Sequence, residues 1–160
     1  VLADLARLEA IWAWARAATG SAGPWLCGAY SVADAFFAPV AARIAGYGLP
    51  VGPAGADYVA AHLAHPAFRR WRAMGLVHGP DQPFYRRDWP TRPWPGPVPL
   101  PARAVAGTEA ENAACPYTGG PVTHGLDLAG RRFGFGDAFL RDRTAADPEA
   151  WPAFMALYHS

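Results

Sequence analysis

Cysteine and net charge are both scarce in this sequence. Its 160 residues include two cysteines, Cys27 and Cys115, and 14 basic side chains stand against 13 acidic ones. Two distant thiols do not form the disulfide framework of an exported mini-protein, so we expect a reduced, cytoplasmic protein. A formal charge of +1 gives no reason to expect binding to nucleic acid or to an anionic membrane surface.

Long apolar runs are missing as well. No run reaches the roughly 18 residues that a membrane-spanning helix needs, and no signal peptide follows Val1. Because the first residue is not Met, we expect the sequence to begin inside a longer protein or to have been cut there. The composition, rich in Gly, Pro, Ala and Arg, is typical of a bacterium of high genomic GC content. The hydrophobic share of 52% is enough to fill a core.

Helical periodicity dominates the first half of the chain. Apolar side chains recur at helical spacing over residues 2–19, and a second helix is predicted from Ser31 to about Ala45. The second helix is apolar nearly all round, which is typical of a helix buried among others, and Pro39 should kink it. The apolar positions of the first helix are Leu2, Leu5, Leu8, Ile11, Trp12 and Ala15.

Two shorter helices are expected at about 55–64 and 66–75, so residues 1–76 are predicted to form an all-α bundle. Residues 77–114 differ, because eight prolines lie between Pro80 and Pro101 and exclude regular helix and sheet. Composition alone indicates an extended linker. We favour a connector that lies on the helical domain and buries some of its rings. The aromatic residues in question are Phe84, Tyr85, Trp89 and Trp94.

Residues 115–160 are predicted to form a small separate module. A short hairpin is expected around Ala129-Gly130, followed by a helix capped by Asp137 that ends near Arg143. Another helix should start at Asp147-Pro148-Glu149 and end near Tyr158. The predicted fold class is therefore mainly α, with a helical bundle followed by a small α+β tail.

Ser31 and Asp34 stand at the start of the second helix in a capping-box spacing. The Ser31 hydroxyl can accept from the amide of Asp34, and the Asp34 carboxylate can accept from the amide of Ser31. Such a cap contributes about 1 kcal/mol. By itself it marks a helix start and no chemistry.

The residues on either side of this capping box resemble those of a known family. Trp-Leu-Cys-Gly-Ala-Tyr-Ser-Val-Ala-Asp-Ala after a long helix resembles the C-terminal helical domain of the glutathione S-transferase family, as does the closing run His65–Trp71. The resemblance covers residues 1–76 and implies a helical bundle in which Ser31 and Asp34 form a buried structural box. It also implies a parent protein that transfers glutathione to small electrophiles, with a homodimer left open.

The same resemblance implies that this part is inactive alone. In the family a thioredoxin-like domain binds glutathione and activates its thiol, and no residue of that domain lies in these 160 residues. No catalytic or cofactor-binding residue is therefore assigned. Four aromatic residues could line an electrophile pocket, although aromatics at helical spacing are more often core. They are Trp12, Phe36, Phe37 and Tyr47.

The tail has a resemblance of its own. Cys115-Pro-Tyr-Thr-Gly-Gly-Pro-Val followed by a hairpin resembles a YHS-type module, a treble-clef-like metal-binding unit. Cys115 matches its first thiolate, whereas Gly136 and Leu140 stand where a later thiolate pair would fall. Cys115 and His124 supply at most two of the roughly four ligands that a structural zinc or copper site takes. We therefore expect a degenerate copy without metal, with an apolar core instead. That core is expected to contain Phe133, Phe135, Phe139 and Leu140.

Two further functions stay open. One is a non-catalytic binding or scaffold protein that reuses the helical domain, and the other is a metal-binding protein that uses the tail. Cys27 is expected to be a small buried apolar residue. His62 and His65 could share a helix face, but no third metal ligand accompanies them in the sequence.

Overall fold

The computed structural model describes residues 1–85, 88 and 92–160. The chain divides into two compact units: the first contains Val1–Phe68 and residues 92–97, and the second contains residues 69–85, 88 and 98–160. The described residues form six α-helices and one three-stranded sheet. The expectation of a mainly α protein with a small β part is therefore confirmed.

The first helix, α1, spans Leu2–Thr19. It buries Leu5 and Trp12 in the core of the first unit. Leu2 and Ile11 belong to the same predicted apolar stripe and are nevertheless exposed. The stripe of α1 is wider than the surface that its neighbours in the unit cover.

The second helix, α2, spans Val32–Tyr47 and continues past Pro39. Its fully buried residues are Asp34, Ala41 and Ile44. Val32 and Phe36, by contrast, are 73% and 79% exposed. The prediction that this helix is buried on nearly all sides is wrong, because apolar composition cannot show which sides of a helix meet a neighbour.

The third helix, α3, spans Pro53–Ala64 and is anchored to α1 at its first turn. Glu9 Oε1 accepts the N–H of Gly52, the residue that caps α3, at 2.7 Å. A carboxylate at this place also compensates the positive end of the helix dipole. The same oxygen lies 2.7 Å from the position that a Cβ on Gly55 would take. Glycine at residue 55 therefore makes room for the cap.

The fourth helix, α4, spans Pro66–Val77, and the boundary between the two units falls inside it, after Phe68. The sequence places that boundary later, at residue 76. The core of the first unit contains Leu5, Trp12, Leu26, Ala41, Ile44, Tyr58, Val59, Leu63 and Phe68.

Trp94 of the proline-rich segment packs on the core of the first unit. Its ring stacks on Phe68 with 6.3 Å between centroids, so this ring lies on the helical unit as predicted. Phe84 does not, since it is 64% exposed. Trp89 and the side chain of Tyr85 lie outside the described residues.

The centre of the second unit is an antiparallel sheet in the order β1-β2-β3. β1 is Ala102–Val105, β2 is His124–Leu128 and β3 is Arg131–Phe135. The sequence predicts the β2–β3 hairpin but not β1, which falls inside the segment expected to lack regular structure. That expectation is wrong for β1 because the prolines end at Pro101, so every residue of the strand keeps its N–H for pairing.

The hairpin turn consists of Ala129 and Gly130, with φ values of 54° and 81°. Positive φ at both central residues is the signature of a type I′ turn, whose twist matches that of the flanking strands. The register places Leu126 opposite Phe133. Both of these side chains are fully buried in the core of the second unit.

Two helices complete the second unit, α5 at Ala138–Ala146 and α6 at Pro152–Tyr158. The sequence predicts one helix from Asp147, but Trp151 is extended (φ −116°, ψ 94°) and separates a short 3₁₀ turn from α6. Pro152 explains the break, since the residue before a proline is disfavoured in helical conformation.

The core of the second unit contains Ala73, Leu126, Leu128, Phe133, Phe135, Ala150, Trp151 and Phe154. Of the four residues expected to replace a metal as the core, Phe133 and Phe135 are fully buried and Leu140 packs at the margin. Phe139 is 38% exposed, so its predicted core position is wrong. It contacts Arg143, whose guanidinium carbon lies 5.6 Å from the ring centroid.

Arg69 fixes α4 to the segment between α5 and α6 within the second unit. Its Nε and Nη2 donate to the two carboxylate oxygens of Asp147 at 2.8 and 2.6 Å, and Nη2 also donates to Glu149 at 3.1 Å. Asp147 is only 3% exposed. A bidentate pair of this kind satisfies a buried carboxylate that would otherwise be costly.

Replacing Arg69 should therefore destabilise the second unit. We expect Arg69→Met to lower its free energy of unfolding by about 3 kcal/mol, because the buried Asp147 carboxylate is left unpaired. Arg69→Lys should cost less, since it keeps the charge and loses the fork. Hydrogen exchange of the β2 and β3 amides in urea measures the effect. The neighbouring Arg70→Met is the matched control, and equal losses in the two methionine variants would contradict the assignment.

Candidate functional site

The Asp34 carboxylate is the polar centre of the first unit. Asp34 is fully buried on the first turn of α2, and a capping box joins it to Ser31. The Ser31 N–H and hydroxyl both donate to Oδ2, at 2.9 and 2.8 Å. Oδ1 accepts the N–H of Leu26 at 3.1 Å and the hydroxyl of Tyr58 at 3.0 Å. The box therefore also ties the preceding loop and α3 to the start of α2.

These hydrogen bonds determine the charge states of Asp34 and Tyr58. Burial by itself raises the pKa of Asp34, but the hydrogen bonds from Leu26, Ser31 and Tyr58 outweigh it and hold the pKa below its usual value. Burial, the bond to Asp34 and its negative charge together raise the pKa of Tyr58 far above the usual value. Tyr58 therefore stays a neutral donor to an ionised acceptor, which is a strong arrangement for structure and a poor one for proton transfer.

His62 lies on α3 in an aromatic cluster beside this network. Its ring centroid is 4.5 Å from that of Tyr58 and 5.2 Å from that of Trp25. The side chain is fully buried, and neither ring nitrogen has a hydrogen-bond partner among residues 1–85, 88 and 92–160. Burial lowers the pKa of His62 to about 4 despite the attraction of Asp34. His62 is therefore neutral near pH 7.

His65, three residues later, reaches the same cluster. Its ring stacks on Tyr30 with 3.8 Å between centroids and meets Trp25 edge-on at 5.4 Å. His62 and His65 are thus brought near the same tryptophan. In the part of the chain that the structure describes, no group of three or more His, Cys, Asp or Glu side chains could hold a metal ion.

The four aromatics proposed for an electrophile pocket are not brought together into one cavity. Trp12 is 1% exposed and meets Phe37 edge-on at 5.7 Å, so both rings contribute to core packing. Phe36 and Tyr47 are 79% and 61% exposed. Helical spacing can place aromatics on a helix, but it does not indicate whether a neighbour or solvent lies opposite them.

A cavity of about 350 Å³ opens instead at the end of α1, and the sequence reasoning missed it. Arg16 and Asp57 supply its two charged groups and Ser21 a hydroxyl, while small side chains and Gly23 form the rest of the wall. No local pattern in the sequence indicates it, because its wall joins residues of α1, of the following loop and of α3. The other wall residues are Ala22, Pro24 and Ala54.

The two thiols lie in opposite surroundings. Cys27 is exposed, so the expectation that it is buried is wrong; a neighbouring glycine and a short bridge to Ala29 hold it in a surface loop. Cys115 is buried in the second unit. Burial raises the pKa of its thiol, but hydrogen bonds from Thr118, Tyr117 and Gly136 outweigh burial and lower the pKa below the usual value.

His124, the other weak metal candidate, is placed by a local contact. Its Nδ1 lies 2.9 Å from the hydroxyl of Thr123, whose hydroxyl also donates to the carbonyl of Gly136 at 2.6 Å. The turn that contains Cys115 is closed by backbone hydrogen bonds. The Cys115 N–H donates to the carbonyl of Gly120 and the Cys115 carbonyl accepts from the N–H of Gly119, both at 2.9 Å.

Comparison of the chain with models of protein families, with curated proteins and with solved structures gives no match. Across the described residues, no helix combines the length and apolar character needed to cross a bilayer.

Asp34 should be the most sensitive polar residue of the first unit. In Asp34→Asn the amide oxygen can still accept from Leu26 and Tyr58, but its NH₂ group then faces the Ser31 N–H. We expect a loss of about 2 kcal/mol in the free energy of unfolding, against about 1 kcal/mol for Ser31→Ala. Urea unfolding of both variants, with the exposed Asp4→Asn as control, measures this. A loss in Asp34→Asn no larger than that in Ser31→Ala would contradict the network.

His62 should make the stability of the first unit depend on pH. Its pKa is about 4 in the folded chain, against 6.5 for a histidine in water, so the unfolded state binds the proton more tightly. The free energy of unfolding of the first unit therefore has its full value above pH 6.5 and decreases as the pH falls toward 4, by up to about 3 kcal/mol. His62→Leu should flatten the profile of unfolding free energy in this range. A slope that survives His62→Leu would refute the assignment.

Proposed function

We propose that this chain is the C-terminal portion of a glutathione S-transferase-like protein of the cytoplasm. In this proposal the parent protein transfers glutathione to small electrophiles. The chain supplies the helical domain, and the exposed rings of Phe36 and Tyr47 contribute to the wall of the electrophile pocket. Glutathione and the electrophile belong to the parent protein, not to a site within this chain.

The buried capping box is the observation that supports the proposal. A helix cap needs only one side chain and is normally found at the surface, where it contributes about 1 kcal/mol. Here the carboxylate is fully buried and is bonded by Leu26 in the preceding loop and by Tyr58 on α3. A box that joins three segments has the structural role that the resemblance implies for Ser31 and Asp34.

The chemistry also explains why activity is assigned to the parent. Glutathione attacks as its thiolate, so the protein must supply a group that lowers the pKa of the thiol. The Tyr58 hydroxyl is engaged by Asp34, and the raised pKa of Tyr58 makes it a weak proton donor. The Cys115 thiol is buried and held by its own turn. Neither group is in a position to activate a second thiol.

The first test compares the chain with its parent. We expect the chain alone to conjugate glutathione to 1-chloro-2,4-dinitrobenzene at the uncatalysed rate, and the parent to do so measurably faster. Phe36→Ala in the parent should lower kcat/KM by about tenfold through a higher KM, because a wall of the electrophile pocket is lost. The equally exposed Trp14→Ala on α1 is the control. An upstream sequence that encodes no thioredoxin-like domain would end the proposal.

A second candidate is a non-catalytic binding or scaffold protein in which the tail docks a partner. The backbone hydrogen bonds of Cys115 with Gly119 and Gly120 favour it, because they close the knuckle with groups of the chain itself. A parent that has the thioredoxin-like domain but neither binds immobilised glutathione nor conjugates the electrophile would favour this candidate. Stoichiometric zinc or copper in the purified protein would favour the metal-binding alternative.

A further inference from the structure

The positive charge that lines the cavity at the end of α1 is the guanidinium group of Arg16, which is held in place by other residues. Arg16 Nη2 donates to the carbonyl of Pro24 at 2.6 Å, and the guanidinium carbon lies 5.0 Å from the centroid of the Tyr58 ring. Tyr58 is itself held by Asp34. Contacts on two sides restrict the arginine before any ligand arrives, so little side-chain entropy remains to be lost on binding. A guanidinium has five N–H donors in a planar fork, and the bond to Pro24 uses one of them.

The negative charge that lines the cavity is the carboxylate of Asp57, which forms no ion pair with any residue that the structure describes. Asp57 is exposed on α3 and lines the same cavity as Arg16. Within the described residues the ion pairs closer than 4 Å include neither Asp57 nor Arg16. Two opposite charges thus face one cavity without forming a pair. The lining also contains the apolar side chains of Ala22, Pro24 and Ala54, together with Ser21 and Gly23.

We propose that this cavity binds a zwitterionic α-amino acid with an apolar side chain. Arg16 would bind the carboxylate through its free N–H groups, and Asp57 would bind the ammonium group. The apolar wall would contact the side chain. The proposal does not depend on the proposed transferase function.

The charges of Arg16 and Asp57 favour a ligand that carries both an anion and a cation over a singly charged one. A volume of about 350 Å³ lies near the lower end of the roughly 300–1,000 Å³ that is usual for small-molecule sites. A nucleotide phosphate would meet Arg16 but would be repelled by Asp57, and a simple amine would leave Arg16 without an anion. A single carboxylate is too few ligands for a metal ion. A ligand that carries both charges can pair with both residues of the lining.

The test uses four probes that share the leucine side chain and differ in which charges they carry. L-leucine carries both charges, N-acetyl-L-leucine lacks the cation, L-leucinamide lacks the anion, and N-acetyl-L-leucinamide lacks both. We expect leucine to shift the backbone amide signals of Ala22 and Gly23 in NMR titrations of the full chain at low ionic strength. Each singly charged probe should bind about tenfold more weakly, since one charge-assisted contact is lost.

Matched variants tie the binding to this cavity. Asp57→Asn should weaken leucine binding by about tenfold but should not weaken the binding of N-acetyl-leucine, which has no ammonium group and is an anion. Arg16→Gln should weaken leucine binding by a similar factor but should not weaken the binding of leucinamide, which has no carboxylate. Ala54→Leu should abolish binding by filling the cavity, whereas Ala60→Leu, an exposed residue on the same helix outside the cavity wall, should not.

Arg16 contacts Tyr58 in the core, so Arg16→Gln could unfold the first unit. In that case the Asp57 and Ala54 variants test the proposal. Equal binding of all four probes, or no binding of leucine, would overturn the proposal.

Discussion

A buried carboxylate must be hydrogen-bonded on every side, and in the first unit Asp34 imposes this requirement. The cost of burying an unsatisfied charge is several kcal/mol, so the segments that supply donors are held in place as firmly as the carboxylate itself. Leu26 in the loop, Ser31 at the helix start and Tyr58 on α3 meet at its two oxygens. Three segments are thereby fixed by a group that the sequence offers as a simple cap.

The candidate binding cavity depends on the same requirement. Tyr58 donates its hydroxyl to Asp34 and presents its ring to the Arg16 guanidinium. Arg16 in turn donates to Pro24 in the loop whose later residue Leu26 donates to Asp34. The Tyr58 ring, the Arg16 guanidinium and the loop are therefore all connected to Asp34 by contacts. The position of the positive charge in the cavity depends on the position of the buried Asp34 carboxylate.

Local rules predicted what local contacts decide. The capping-box spacing, the helix periodicity and the Ala129-Gly130 turn each depend on a few neighbouring residues, and the structure has a helix start, a bundle and a hairpin at those places. The bond between Tyr58 and Asp34 spans 24 residues, and no rule of spacing predicts it. The cavity joins α1, a loop and α3, so it too depends on tertiary packing. Strand β1 was not predicted because several prolines precede it in the sequence. The exposure of Phe36 was not predicted because α2 is apolar on nearly all sides.

The ion pair between Arg69 and Asp147 links residues 78 positions apart in the chain, and this separation has a consequence for synthesis on the ribosome. Domains generally fold as units, N-terminal first, as the chain emerges. All residues assigned to the first unit have been made by residue 97, whereas the second unit still awaits all three strands of its sheet and Asp147. Arg69 thus enters the cell's solvent well before its partner exists. During that interval its guanidinium donates to water, and these bonds are exchanged for those to Asp147 only when the second unit folds.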